Sequence, residues 1–176
     1  MLRQLADAGF LERRDATWPG ETDDEWTTTI SGGALTMASF LKPMPRTRAD
    51  ALLAGVLERA GMYNADATKP LLITQIAVFG SYLRPEVVEL GDLDLRVEFA
   101  PREPNSASGE ALLAFARASG RRFSSFMDEL FWAEKEMKQV LRNRSGYINL
   151  HTEDISRFTD DWQVVYNHSA EGAEEP

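Results

Sequence analysis

The segment from Ile73 to Phe99 constrains the fold of this 176-residue chain more than any other. Two apolar, β-rich runs are joined by a short polar loop, and the first run ends in Gly80-Ser81. The second run carries Asp92 and Asp94, with one residue between them. Because side chains alternate faces along a strand, both carboxylates are predicted to project from one face while the intervening leucines enter the core.

This spacing predicts chemistry as well as structure. Two neighbouring carboxylates repel each other unless a cation lies between them. Their oxygens suit Mg²⁺ or Mn²⁺; Mg²⁺ typically binds one or two carboxylates together with substrate phosphates. Gly80 allows a phosphate to approach the backbone, and Ser81 offers a hydroxyl and an amide as donors. Each half of the pattern alone favours an ordinary turn or a solvated strand face, whereas the two halves in this order favour a site.

The combined pattern, Phe79-Gly80-Ser81 followed by Gly91-Asp92-Leu93-Asp94-Leu95, resembles the core of the nucleotidyltransferase superfamily related to DNA polymerase β, especially its small bacterial members. Arg84 matches a basic residue common after the Gly-Ser pair, while Pro85 replaces the glycine that often follows it. The resemblance implies an α+β fold in which helices pack on a mixed sheet, the nucleotidyltransferase palm.

The resemblance also implies an activity. The expected reaction is a Mg²⁺-dependent transfer of a nucleoside monophosphate from an NTP to an acceptor hydroxyl, whose identity the sequence does not specify. Gly80 and Ser81 would cradle the triphosphate, and Arg84 would neutralise phosphate charge. Asp92 and Asp94 would hold the metal.

Active relatives usually carry a third carboxylate on the next strand, and here that strand offers no acid within Ile148–His151. Asn149 is the expected counterpart, and an amide ligates metal weakly and cannot act as a base. His151 shares its face and is a candidate general base near neutral pH. Glu153 lies just beyond the strand. The interpretation of His151 as a surface or satisfied polar residue at a strand end is nonetheless favoured.

Two other functions therefore stand beside the enzyme. The first is a catalytically degenerate, nucleotide-binding regulatory module, which the missing acid favours. The second is an interaction protein of the toxin–antitoxin type.

The N-terminal pattern predicts a short helix that stops at Gly9, followed by a β-hairpin with a polar tip around residues 18–24. The run Leu-x-x-Leu-x-x-x-Gly-Phe-Leu-Glu-Arg from Leu2 resembles the third helix and first wing strand of bacterial winged-helix regulators. An acidic tip is unsuited to phosphates, so a structural or homodimerising hairpin is favoured over nucleic-acid binding.

The predicted organisation has three parts. A winged-helix-like appendage covers residues 1–45, ending near Pro43 and Pro45, and the nucleotidyltransferase-like core covers 46–168. The core pattern predicts a helix from Thr47 that stops at Gly61, a helix over 110–144 broken at Gly120, and strands over 146–151 and 162–166. Residues 169–176 read as a disordered acidic tail.

Composition excludes several kinds of metal site and several classes of partner. The chain has no cysteine and two histidines, so thiolate and histidine-rich metal centres are excluded. A net charge of −9 argues against nucleic-acid binding over the whole surface. No apolar run has the length of a membrane span, and a cytoplasmic protein without membrane partners is expected.

Overall fold

The computed structural model describes residues 1–14, 25–29, 32, 41–155 and 159–168. The predicted hairpin tip and the acidic tail lie outside these residues. The chain divides into two compact units, Met1–Phe40 and Leu41–Pro176. Within the described part, no helix combines the length and apolar character needed to span a membrane.

The first unit contains helix α1 (Leu2–Asp7) and strands β1 (Leu11–Arg14) and β2 (Glu25–Thr28). The strands pair antiparallel, with Leu11 opposite Thr28. After α1 the backbone reverses at Gly9, whose φ of +78° is readily adopted only by glycine. The winged-helix interpretation of this unit stays a prediction.

The second unit is an α+β domain built on a mixed four-stranded sheet. Its strand order is β7-β6-β4-β8, in which β6 and β7 are parallel and the other pairs are antiparallel. In chain order its elements are β3 (Met44–Pro45), α2 (Arg46–Ala65), β4 (Leu71–Phe79), a 3₁₀ helix (Gly80–Leu83), β5 (Glu89–Leu90), β6 (Leu93–Pro101), α3 (Gly109–Ala118), α4 (Phe126–Leu130), α5 (Trp132–Arg142), β7 (Ile148–His151) and β8 (Trp162–Asn167).

Strand β6 has one apolar face and one polar face, as the alternation predicts. Leu93, Leu95 and Val97 are at most 1% exposed and pack with residues of α2, α5, β4 and β7 into one core. Asp94 and Arg96 point to the opposite face and are only half-buried. The helices thus cover one face of the sheet. The polar side chains of β6 lie on the other face, which is called the open face below.

Two helix predictions differ from the structure. Helix α2 continues through Gly61 to Ala65, because Tyr63 and Asn64 are buried beyond it. Their packing outweighs a glycine cost of about 1 kcal/mol in a helix interior. The segment 110–144 breaks at Gly120 as predicted, where φ is +67°. It then forms two further helices, because Ser125 caps the start of α4 by accepting a hydrogen bond from the amide of Asp128.

Asn64 joins the end of α2 to the sheet. Its side-chain amide donates to the carbonyl of Ile73 at 2.8 Å and to the hydroxyl of Tyr166 at 3.0 Å. Its side-chain oxygen accepts from the amide of Ile73 at 2.9 Å. Asn64 therefore supplies hydrogen-bond partners to the main chain of Ile73. This residue of β4 lies beyond the strand pairs with β8, which begin at Gln75.

We expect Asn64→Leu to destabilise the protein by about 2–6 kcal/mol, because two buried main-chain groups lose their partners at about 1–3 kcal/mol each. Urea unfolding followed by circular dichroism measures this change. Met62→Leu, at a position 66% exposed on the same helix, is the control and should change stability by less than about 0.5 kcal/mol. Equal stability of Asn64→Leu and wild type would contradict the assigned role.

Candidate functional site

The four strands place one residue each in a row across the open face of the sheet. Asp94 on β6 is the register partner of Asn149 on β7 and of Phe79 on β4. Phe79 is in turn the partner of Trp162 on β8. Residues directly opposite each other on paired strands share a face, so the row brings the end of the Gly-Ser strand beside the Asp-x-Asp strand.

The chain turns at Gly80 immediately above Asp94. Gly80 has a φ of +75°, and a Cβ atom built there would lie 3.1 Å from Oδ2 of Asp94. A side chain at this position would therefore be strained by its backbone conformation and crowded by the carboxylate. Glycine is required here for both reasons, and it leaves main chain and carboxylate in close approach.

Asp92 and Asp94 share a single donor. The side-chain amide of Asn149 donates to Oδ2 of Asp92 at 2.8 Å and to Oδ1 of Asp94 at 3.2 Å. Burial, and next the charge of Asp94, raise the pKa of Asp92 above its ordinary value. The pair thus holds more negative charge than its surroundings stabilise, and the amide of Asn149 relieves part of the repulsion.

His151 lies on the same face, one row along, between two carboxylates. Its Nε2 is 3.8 Å from Oδ1 of Asp94, and its Nδ1 is 3.1 Å from Oε1 of Glu153. The ring meets Phe79 edge to face, with 5.2 Å between the ring centroids. Interaction with Asp94, followed by interaction with Glu153, raises the pKa of His151 despite partial burial.

Ser81 and Arg84 lie at the two ends of the turn that follows β4. Ser81 is half-buried in the 3₁₀ helix, and its carbonyl accepts from the amide of Arg84 at 3.2 Å. The side chain of Arg84 is exposed, and it makes no hydrogen bond or ion pair with any residue in the described ranges. Of the predicted residues, the structure gathers Gly80, Asp92, Asp94, Asn149 and His151 closely and leaves Arg84 facing solvent.

Arg46, which sequence analysis missed, fixes the loop that follows the turn. From the first turn of α2 its guanidinium donates to the carbonyls of Tyr82 at 2.9 Å, Arg84 at 2.6 Å and Val87 at 3.1 Å. The hydroxyl of Tyr82 also donates to Asp50 on α2 at 2.7 Å. The Gly80–Val87 segment is therefore anchored to α2 by main-chain contacts that no sequence motif encodes.

Arg96 and Trp162 complete the open face. Arg96 pairs with Glu98 at 2.6 Å, and its guanidinium carbon is 5.8 Å from the centroid of the Trp162 ring. The alternation that placed Asp92 and Asp94 together also predicts Arg96 and Glu98 on their face, so this signal was present in the sequence. The position of Trp162 beside Phe79 is set by sheet order and was not predictable.

Asp92 and Asp94 are the side chains of the open face that could hold a divalent cation. Among the described residues, no three carboxylate or imidazole side chains are placed to hold an ion by themselves. Asp92 and Asp94 fit Mg²⁺ or Mn²⁺ because Mg²⁺ commonly takes one or two carboxylates and completes its shell with phosphates and water. Asn149 presents its NH₂ group to the pair, so its amide would have to turn over before its oxygen could act as a ligand.

Comparison of this chain with known protein families, with curated proteins and with solved structures gave no match. The geometry of the open face is therefore the basis for any functional assignment.

Because its partners favour the charged form, His151 should titrate in the folded protein above its ordinary pKa of 6.5. Its contribution to stability is fully present below the unfolded value and is lost as pH rises through the raised folded value. Glu153→Gln should lower the midpoint of the His151 titration, because it removes one of the carboxylates that favour the protonated ring. The imidazole NMR shifts measure this midpoint as pH is varied. Glu103→Gln, at the far end of β6, is the control and should leave it unchanged. An unaltered midpoint in Glu153→Gln would contradict the assigned contact.

Proposed function

We propose that this protein is a Mg²⁺- or Mn²⁺-dependent nucleotidyltransferase that moves a nucleoside monophosphate from an NTP to an acceptor hydroxyl. The observation that carries the proposal is the turn at Gly80, which packs its backbone against Asp94 where that residue joins Asp92. A phosphate chain needs both elements at once, namely an accessible main chain and a carboxylate pair that holds a cation.

In this proposal the residues act mainly by positioning and by electrostatics, which supply most of the catalysis in phosphoryl transfer. Asp92 and Asp94 hold the divalent cation, which when bound neutralises phosphate charge. The main chain at Gly80 and Ser81 faces the triphosphate. Arg84, whose side chain extends into solvent, reaches phosphate oxygens once the substrate arrives.

His151 is the candidate base, and its environment couples it to the carboxylate pair. Interaction with Asp94 favours the protonated ring and raises the pKa of His151, so the ring is less readily available as a base than a free imidazole. Positive charge at Asp94 would oppose the imidazolium and lower the pKa of His151 toward the neutral form. Loading of the site would thus raise the fraction of neutral ring, the form that accepts the proton of an acceptor hydroxyl.

A second candidate is a nucleotide-binding regulatory module without catalysis. Asn149 favours it, because an amide donor stands between the two carboxylates where active relatives of the resembled superfamily carry an acid. Both candidates require metal-dependent NTP binding. Release of pyrophosphate distinguishes the enzyme from the regulatory module.

We expect Mn²⁺-ATP to bind, and we expect Asp92→Asn and Asp94→Asn each to weaken that binding at least about tenfold, which corresponds to about 1.4 kcal/mol. Each variant keeps the size of the side chain and removes one charge. Isothermal titration calorimetry measures the affinity, with Glu103→Gln as a control for a carboxylate lost elsewhere on the chain. Binding that is equal in wild type and both variants would refute the proposed site.

Asn149→Asp tests the effect of restoring a third carboxylate beside Asp92 and Asp94. A third carboxylate beside Asp92 and Asp94 adds repulsion, so the variant should melt below wild type without divalent cation. It should gain more in melting temperature than wild type does on addition of Mn²⁺, because it offers one more ligand. Pyrophosphate release should also rise if the acid restores a base, which typically contributes about 10²–10⁴-fold. Identical Mn²⁺ stabilisation of the two proteins would contradict the placement of Asn149 at the metal.

A further inference from the structure

A solvent-open cavity lies at the end of the sheet opposite the carboxylate pair. It has a volume of about 900 Å³ and is lined by helices α3 and α5 and by the loops on either side of the β4–β6 pair. It is within the size range of small-molecule pockets, about 300–1,000 Å³. It opens near Leu71, whereas the carboxylate pair lies beside Phe79, and at about 3.3 Å per strand residue these ends of β4 are roughly 26 Å apart.

The walls of this α3–α5 cavity are mainly apolar. The rings of Phe115 and Trp132 line it, and small side chains on α3, such as Ala114, leave the space open. Trp132 is only 5% exposed, and its indole N–H has no hydrogen-bond acceptor among the residues that the structure describes. A buried donor without an acceptor costs about 1–3 kcal/mol.

The wall carries three basic side chains, Lys69, Arg102 and Arg121, against two acidic ones, Glu103 and Glu136. Oε1 of Glu136 pairs with the ammonium of Lys69 at 2.6 Å, whereas its Oε2 has no hydrogen-bond donor among the described residues. Arg102 donates to main-chain carbonyls, and the guanidinium of Arg121 lies 4.5 Å from the centroid of the Trp132 ring. Neither arginine has a carboxylate ion-pair partner within the described ranges. This is a local reversal in a chain that carries 28 acidic and 19 basic residues.

We propose that the α3–α5 cavity binds a small organic anion with an apolar, ring-containing body, an aromatic carboxylate being the simplest member of the class. The ring would pack against Phe115 and Trp132. The carboxylate would pair with Arg121, whose planar guanidinium matches it in a bidentate manner. This site is independent of the nucleotidyltransferase proposal, since it shares no residue with the open face of the sheet.

The test uses 2-naphthoate as the probe and 2-naphthalenemethanol as its uncharged match. The indole N–H signals of uniformly ¹⁵N-labelled protein report binding, and Trp132→Phe assigns the signal of Trp132 among the four tryptophans. We expect 2-naphthoate to shift the Trp132 signal in a saturable way and the alcohol to bind at least about fivefold more weakly. Asp94→Asn should leave this binding unchanged, which separates it from the nucleotide site.

Two variants test the assigned contacts. Arg121→Gln should weaken 2-naphthoate about tenfold and leave the alcohol unaffected, whereas Arg117→Gln, which removes an exposed arginine already paired with Glu129 at 2.8 Å, should change neither. Ala114→Phe should fill the cavity and abolish the shift while the other indole signals persist. The proposal is overturned if the Trp132 signal does not respond, if the two probes bind equally, or if Arg121→Gln binds 2-naphthoate as wild type does.

Discussion

The antiparallel pairing of β4 with β6 is the constraint on which the rest of the site depends. It sets Phe79 opposite Asp94, so the turn that ends β4 must pass over the carboxylate. The approach is close enough that a side chain at Gly80 would contact Asp94. The core face of the same two strands, with Ile76, Val78 and Leu95 fully buried, fixes this register, because a shift by one residue would expose the apolar set.

The carboxylates of Asp92 and Asp94 place negative charge on the open face, and the surrounding groups offset only part of it. Burial disfavours the ionised form of Asp92, and proximity to Asp94 adds repulsion. The amide of Asn149 and the imidazole of His151 each offset part of that negative charge. They lie two residues apart on the short strand β7, which runs parallel to β6. Clustered, partly desolvated carboxylates are costly for stability, and groups whose pKa is perturbed in this way cluster at functional sites. This is the physical reason to place function on this face.

Local pattern was enough to predict much of the architecture. Alternating apolar residues predicted β4 and β6, and one-residue spacing predicted that Asp92 and Asp94 share a face. The predicted end of α2 at Gly61 was wrong, because the low helix propensity of glycine was given more weight than the burial of Tyr63 and Asn64. Arg46 was missed because its acceptors are main-chain carbonyls 36 to 41 residues away in the sequence, and carbonyls carry no sequence signature.

The sequence by itself determined which side chains alternate, where the chain must turn, and hence the separate halves of the candidate site. Periodicity and glycine conformation are local properties, so they can be read from neighbouring residues. Only the tertiary structure decided that β7 pairs parallel with β6, in the register that sets Asn149 directly opposite Asp94. Only it decided that α3 and α5 line a solvent-open cavity to which Trp132 contributes. Both depend on strand order and helix packing, which are set by the total burial of the core and by no single segment.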